Sequence, residues 1–202
     1  MKRLFVFLGC VMFLFAGFVP TAGAAFFSGT PSPSLSPVFG TLINFDDMPT
    51  YTAVPSNGYV AQGVAAITEL GGIPLGYYPG TQSPPNYIGT GSSYGWAGDI
   101  QFTFTGLASE VGVGFAGPST VTYAVYDSSH NLLESNMFSG AANGYYGFQE
   151  GTADIKYFEV SSSFFALDDL QFKASAVPLP ASLLLFGPGL AGLAAIRRRF
   201  KK

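Results

Sequence analysis

Four of the twelve carboxylates in this chain form two adjacent pairs, Asp46-Asp47 and Asp168-Asp169. Paired carboxylates suit two kinds of chemistry. Held on either side of a sugar linkage, they can run acid-base or nucleophilic glycoside hydrolysis. Held with backbone carbonyls at strand ends, they can bind calcium, which takes oxygen ligands. Strand phase bears on the choice. Asp47 falls in step with Ile43 and Phe45, and Asp168 with Leu170 and Phe172. If those apolar residues face a core, each pair points one carboxylate inward, where it needs a partner or a cation. A structural Ca²⁺ held by Asp46, Asp47, Asp168 and Asp169 is one reading. The other is that both pairs cap turns and face water.

Other residue types narrow the chemistry. His130 is the sole histidine, in the turn-like stretch Asp127 to Asn131, and reads as a solvated turn residue. Cys10 is the sole cysteine and lies in the N-terminal apolar run. A zinc site lacks its usual ligands, and no Gly-x-Ser-x-Gly elbow anchors a hydrolase triad. No catalytic residue is assigned. Aromatic residues offer a different function. Tyr77, Tyr78, Tyr87, Tyr94 and Trp96 cluster in one Gly/Pro-rich region, and Tyr145 and Tyr146 in a second. Exposed rings of this kind stack on the apolar faces of sugars; covering the ends of a core is their alternative use.

The elements that must position these residues read as strands. Ile100, Phe102 and Phe104 alternate with polar residues, as do Val121, Tyr123 and Val125; Val111, Val113 and Phe115 alternate with glycines. Period two marks strands with one buried face. Thr41–Phe45, Val64–Leu70, Tyr145–Gln149, Ile155–Ser161 and Phe164–Phe172 read likewise. Residues 120–139 predict a hairpin around "DSSHN". Tyr77 to Gly98 reads as a long loop. About eight short strands without helices predict an all-β, two-sheet antiparallel sandwich of jelly-roll type over 41–174.

The ends read differently. Residues 1–24 carry a basic start, an apolar run and a small-x-small step at Ala22-Gly23-Ala24, a signal peptide for signal peptidase. Residues 25–40 read as a Pro/Ser-rich linker. Ser182 to Ile196 is apolar and precedes Arg197, Arg198 and Arg199. This predicts a short transmembrane helix with its basic end left inside the inner membrane. Between the ends stand two lysines against all twelve acidic residues, a net charge of about −10. Such a body repels nucleic acid phosphates, so no nucleic acid partner is expected.

Val177, Pro178, Leu179, Pro180, Ala181 and Ser182, followed by the apolar run and the arginines, resemble the PEP-CTERM sorting signal of Gram-negative bacteria. Leu179 stands where that motif most often has Glu. The resemblance covers 177–202 and implies an exosortase as processing partner and a host that makes exopolysaccharide or biofilm matrix. "INFDDMP", "YVAQGV", "TYAVYDSSHNLL" and "FFALDDLQF" resemble the β-sandwich bodies that accompany such tails. These in turn are similar to carbohydrate-binding jelly rolls, some of which hold a structural calcium. The expectation is an exported, non-enzymatic envelope or matrix protein that interacts with carbohydrate. A structural surface protein without a sugar site, and an extracellular glycoside hydrolase, are the alternatives.

Overall fold

A computed structural model describes residues 25–29, 40–79, 83–90, 98–117, 120–138, 144–163 and 166–175. The signal segment, residues 30–39 of the linker, Tyr94, Trp96 and the sorting tail lie outside the described residues.

The described chain is all-β. Its strands are β1 (Ala25–Gly29), β2 (Thr41–Ile43), β3 (Val64–Glu69), β4 (Leu75–Pro79), β5 (Asn86–Thr90), β6 (Gly98–Phe115), β7 (Val121–Tyr126), β8 (Leu132–Phe138), β9 (Gly144–Gln149), β10 (Ile155–Ser162) and β11 (Leu167–Ala174). A single 3₁₀ turn, Val60–Gln62, is the only helical element among the described residues. Every strand pairing is antiparallel.

Strand β6 organises the fold. Its first half pairs with β3 and β10, which continue to β7 and β8. Its second half pairs with β9 and β11, which continue to β1, β2, β5 and β4. Eleven strands thus form one curled sheet with two wings rather than two unconnected sheets. The wings face each other across one core. Tyr146 of β9 stacks on Phe138 of β8 at 4.2 Å, and Phe148 of β9 meets Phe158 of β10 edge-on at 6.4 Å. Phe102, Phe104, Phe115, Phe148, Phe158 and Phe172 are all essentially inaccessible. Each such ring contributes about 1.5–3 kcal/mol through burial.

Three expectations change. Residues 100–104 and 111–115 belong to one strand, because their alternation resumes after a bulge-like shift near Ala108. Residues 77–98 are not one loop: Leu75–Pro79 and Asn86–Thr90 pair as β4 and β5. Both are buried almost throughout, so they lack the alternation that marks a half-buried strand. Residues 25–29, expected as linker, pair with β9.

Two glycines sit at close approaches, and the first of them admits no side chain. At Gly40, φ is +59°, and a Cβ would sit 2.0 Å from the Phe172 carbonyl oxygen. At Gly76, a Cβ would sit 2.9 Å from the Tyr78 hydroxyl, which folds back across the backbone there.

Candidate functional site: a buried acidic cluster beside an aromatic hollow

Strand β11 buries six consecutive residues, Leu167 to Phe172. Alternation should send Asp169 outward. Instead the ladder with β6 slips by one residue between Asp168 and Gln171, opposite Gly114 and Gly112. Asp169 adopts φ +53° at this bulge. Asp is among the residues that tolerate that region, and a bulge re-aims the side chain it carries. Both carboxylates therefore turn inward, Asp168 at 0% and Asp169 at 1% exposure. Tyr145 closes the bulge: its hydroxyl donates to the carbonyls of Gly112 (2.9 Å) and Asp169 (3.0 Å).

The other pair approaches from the segment after β2. Phe45 has φ +57°, which breaks the phase that would have turned Asp47 inward. Asp46 is the half-buried member and Asp47 the exposed one. Asp47 instead accepts from the Tyr59 hydroxyl at 2.7 Å, itself 3.0 Å from the Tyr77 hydroxyl. Asp46 Oδ1 accepts from the Asn86 backbone N–H (2.8 Å), and its Oδ2 from Asn44 Nδ2 (2.8 Å). Asn86 Nδ2 donates to the Met48 carbonyl at 2.7 Å.

Few donors reach the buried pair. Asp168 Oδ2 accepts from the Ser83 N–H (2.9 Å) and lies 3.1 Å from its hydroxyl, while Asp168 Oδ1 accepts from the Asp169 N–H (2.8 Å). Asp169 Oδ1 lies 3.0 Å from the same Ser83 hydroxyl, whose one proton serves two carboxylates. Asp169 Oδ2 and Asn86 Oδ1 are buried without any donor. Burial first, then the Asp169 charge, pushes the Asp168 carboxyl up to about 8. Burial likewise raises Asp169, opposed by Ser83 and reinforced by Asp46. Burial also raises Asp46, partly offset by the Asn86 N–H.

No basic side chain balances these acids among the described residues. Lys173 pairs with Glu110 at 3.0 Å, and Lys156 donates to the carbonyls of Phe104 and Thr105. A buried carboxylate without a counter-ion must take a proton or a cation. The donor set is all oxygen, which suits calcium. No three His, Cys, Asp or Glu side chains among the described residues are grouped as a metal cage by themselves. The orphaned Asn86 amide oxygen is the kind of neutral ligand that calcium accepts beside carboxylates. Its N–H already holds Asp46, so it ties that segment to β5, the strand that pairs with β11. The residues fit such a cation. They do not fit a glycosidase, because Asp168 and Asp169 are sealed from any polymer.

The aromatic residues are redistributed. Tyr77 (0%) and Tyr145 (1%) are core residues. Their hydroxyls are engaged internally, so the expectation that they stack on sugar is corrected. Tyr146 lies beneath Phe138, and Tyr87 packs on Tyr78 at 5.9 Å. Among the described residues, the aromatic ring left most exposed is one the sequence motifs did not single out. Tyr51, 71% exposed, stands edge-on to Tyr78 at 6.1 Å. It sits at φ +63° and is pinned through its N–H to the Tyr77 carbonyl at 2.6 Å. With Thr52, Ala53, Leu75 and Gly76, the two tyrosines line an open hollow of about 300 Å³. Its sequence signal was an aromatic residue between Pro49 and Pro55, outside every strand.

His130 is exposed in its turn, as expected. The turn forms as read, with Asp127 accepting from Ser129 N–H, Asn131 N–H and Asn131 Nδ2. The imidazole is not simply solvated: its ring lies 3.9 Å from Tyr157, and Gln101 Nε2 stands 3.3 Å from its Nε2.

No family model matches this chain, and no curated protein matches it. Among solved structures, it is similar to TmCBM61 in complex with β-1,4-galactotriose. The two are 10% identical, with a TM-score of 0.36, over 63% of this chain and 100% of that one. It is also similar to CsCBM6-3 from Clostridium stercorarium in complex with cellobiose. There the identity is 15% and the TM-score 0.31, over 67% of this chain and 95% of that one. At these scores the likeness carries no argument about ligand or site.

Proposed function

We propose that this protein is a non-catalytic carbohydrate-interaction module of the cell envelope or extracellular matrix, built on a jelly-roll sandwich. The observation that supports the sugar site is Tyr51. A large ring left 71% exposed, beside a second tyrosine and an open hollow, has no role in the core. An aromatic platform with a hydroxyl and nearby backbone polar groups suits the apolar face and rim of a sugar ring. On this reading the sugar contact is Tyr51, backed by the largely buried Tyr78, and not Tyr77 or Tyr145 in the core. A calcium ion held by Asp46, Asp169 and the Asn86 amide oxygen, beside Asp168, is a structural brace.

Delivery rests on the sequence ends. Signal peptidase removes residues 1–24. The tail from Val177 crosses the inner membrane until an exosortase cuts near Pro178-Leu179-Pro180, releasing the body towards exopolysaccharide or biofilm matrix. The acidic body meets neutral sugar more readily than acidic polysaccharide.

Binding of the mature protein to immobilised neutral polysaccharides tests the site. Tyr51→Ala is expected to weaken binding at least about tenfold, equivalent to roughly 1.4 kcal/mol, while melting as the wild type does. No binding to any polysaccharide, or equal binding by Tyr51→Ala, contradicts the proposal.

A further inference from the structure

The acidic cluster and the aromatic hollow are joined by six residues of chain. Asp46 begins the segment and Tyr51 ends it. Its two ends are held in different ways. Behind Tyr51, the backbone is clamped to β4: Tyr51 N–H to the Tyr77 carbonyl, Tyr77 N–H to the Thr52 carbonyl, and Val54 N–H to the Leu75 carbonyl. At the front, every such hold among the described residues runs through a side chain: Asn86 holds Asp46 and Met48 through its N–H and its Nδ2, Asn44 holds Asp46, and the Tyr59 hydroxyl holds Asp47. That front anchor is electrostatically poor. The buried oxygens Asp169 Oδ2 and Asn86 Oδ1 lack donors, no basic side chain among the described residues balances the acids, and the Asp46 charge adds to the burial that raises the Asp169 carboxyl. Asn86 starts β5, the hairpin partner of the strand that carries Tyr78. One residue therefore holds the Asp46 segment and begins the strand pair under the hollow.

We infer that a divalent cation taken up by Asp46, Asp169 and the Asn86 amide oxygen controls the aromatic hollow, by fixing the segment from Asp46 to Tyr51 on the β4–β5 hairpin. This rests on the sugar-binding reading above and adds its regulation. With the cation, carboxylates that repel one another share a positive centre, and the front of the segment becomes as firmly held as the back. Without it, the front opens and the Tyr51 ring, although its backbone stays clamped to β4, is no longer backed by residues 46–50 over Tyr78. Cation concentration in the surroundings then sets sugar affinity with no cation touching the sugar. A cation acts in this way only by binding the closed arrangement better than the open one.

Peptide-resolved hydrogen exchange of the mature protein, in calcium chloride and in chelator, tests this without any sugar. Calcium is expected to slow exchange across residues 46–54 at least tenfold and to leave the turn at Asp127–Asn131 unchanged. In Asp169→Asn the calcium effect should vanish. Asp46→Asn, at a half-exposed position, gives the same reading if the first variant does not fold. Polysaccharide binding in the same two buffers should be at least tenfold tighter with calcium. Exchange across 46–54 that ignores calcium overturns the inference, whether or not sugar binds. Protection by calcium without sugar binding leaves the cation control standing and removes the sugar reading. Sugar binding that is equal in both buffers, without protection, removes the control and keeps the sugar site.

Discussion

Two acidic turns in this protein have opposite fates. Asp127, in the β7–β8 turn, is solvent-exposed and takes three donors from its own neighbours within four residues. The Asn131 side chain and backbone N–H hold its carboxyl below the usual carboxylate range. Asp168 and Asp169, at the β11 bulge, are buried, and outside the pair itself only Ser83 among the described residues, more than eighty residues away, donates to them. Their carboxyls are pushed up. The same residue type completes a turn in one place and leaves a charge deficit in the other. Local donors settle the first case. The second needs something from outside the fold, either a proton or a cation.

The largest expected effect separates the two turns by metal. At free calcium about one hundred times its dissociation constant, stability should rise by about 2.7 kcal/mol. For a domain of this size that is a melting temperature gain of roughly 5–10 °C. Asp169→Asn should abolish the gain and Asp127→Ala should keep it, as differential scanning calorimetry with and without chelator will show. Unchanged melting of the wild type would erase the contrast.

Next comes pH. In chelator, the folded Asp168 binds its proton up to about pH 8, whereas the unfolded side chain releases it near 4. The folded state therefore holds the extra proton, and its stabilising contribution is complete below about pH 4 and lost as pH rises through about 8. Asp127 has the opposite sign: its lowered carboxyl contributes above the unfolded value and loses that contribution as pH falls through the folded one. Urea melts of the chelated protein should weaken from pH 4.5 to 8, and Asp168→Asn should flatten that slope. A slope that survives in Asp168→Asn would assign it elsewhere.

A smaller effect tests the bulge itself. Tyr145→Phe removes the hydroxyl that bonds Gly112 and Asp169 and should cost about 1–2 kcal/mol, since both carbonyls are left buried. If the bulge aims Asp169, this variant also binds calcium more weakly. The smallest effect is Asp127→Ala, a surface change confined to its own turn, which should lower the urea midpoint less than Tyr145→Phe does.

The contrast also explains what could be read in advance. The β7–β8 turn was legible because every participant lies within five residues: alternation on both sides, then Asp, two Ser, His and Asn. The inward direction of Asp168 was legible from its step with Leu170 and Phe172. The inward turn of Asp169 was not, because a bulge breaks period two and depends on the glycines of β6 opposite. Phe45 breaks the phase in the same way and exchanges the roles of Asp46 and Asp47. Asn86 was hidden by distance, since it meets Asp46 only once β5 lies beside β11. Tyr77 and Tyr145 looked like surface rings because Gly/Pro-rich surroundings suggest loops. Their strands are buried on both faces, a condition without a periodic signature.

The most direct measurement is the stoichiometry of calcium bound to the mature wild-type protein and to Asp169→Asn, by isothermal titration calorimetry after chelator removal. The account predicts one calcium per wild-type chain and none in the variant, with both proteins folded. No bound calcium in the wild type, or the same binding in the folded variant, would contradict it and leave Asp168 and Asp169 as acids neutralised by protons alone.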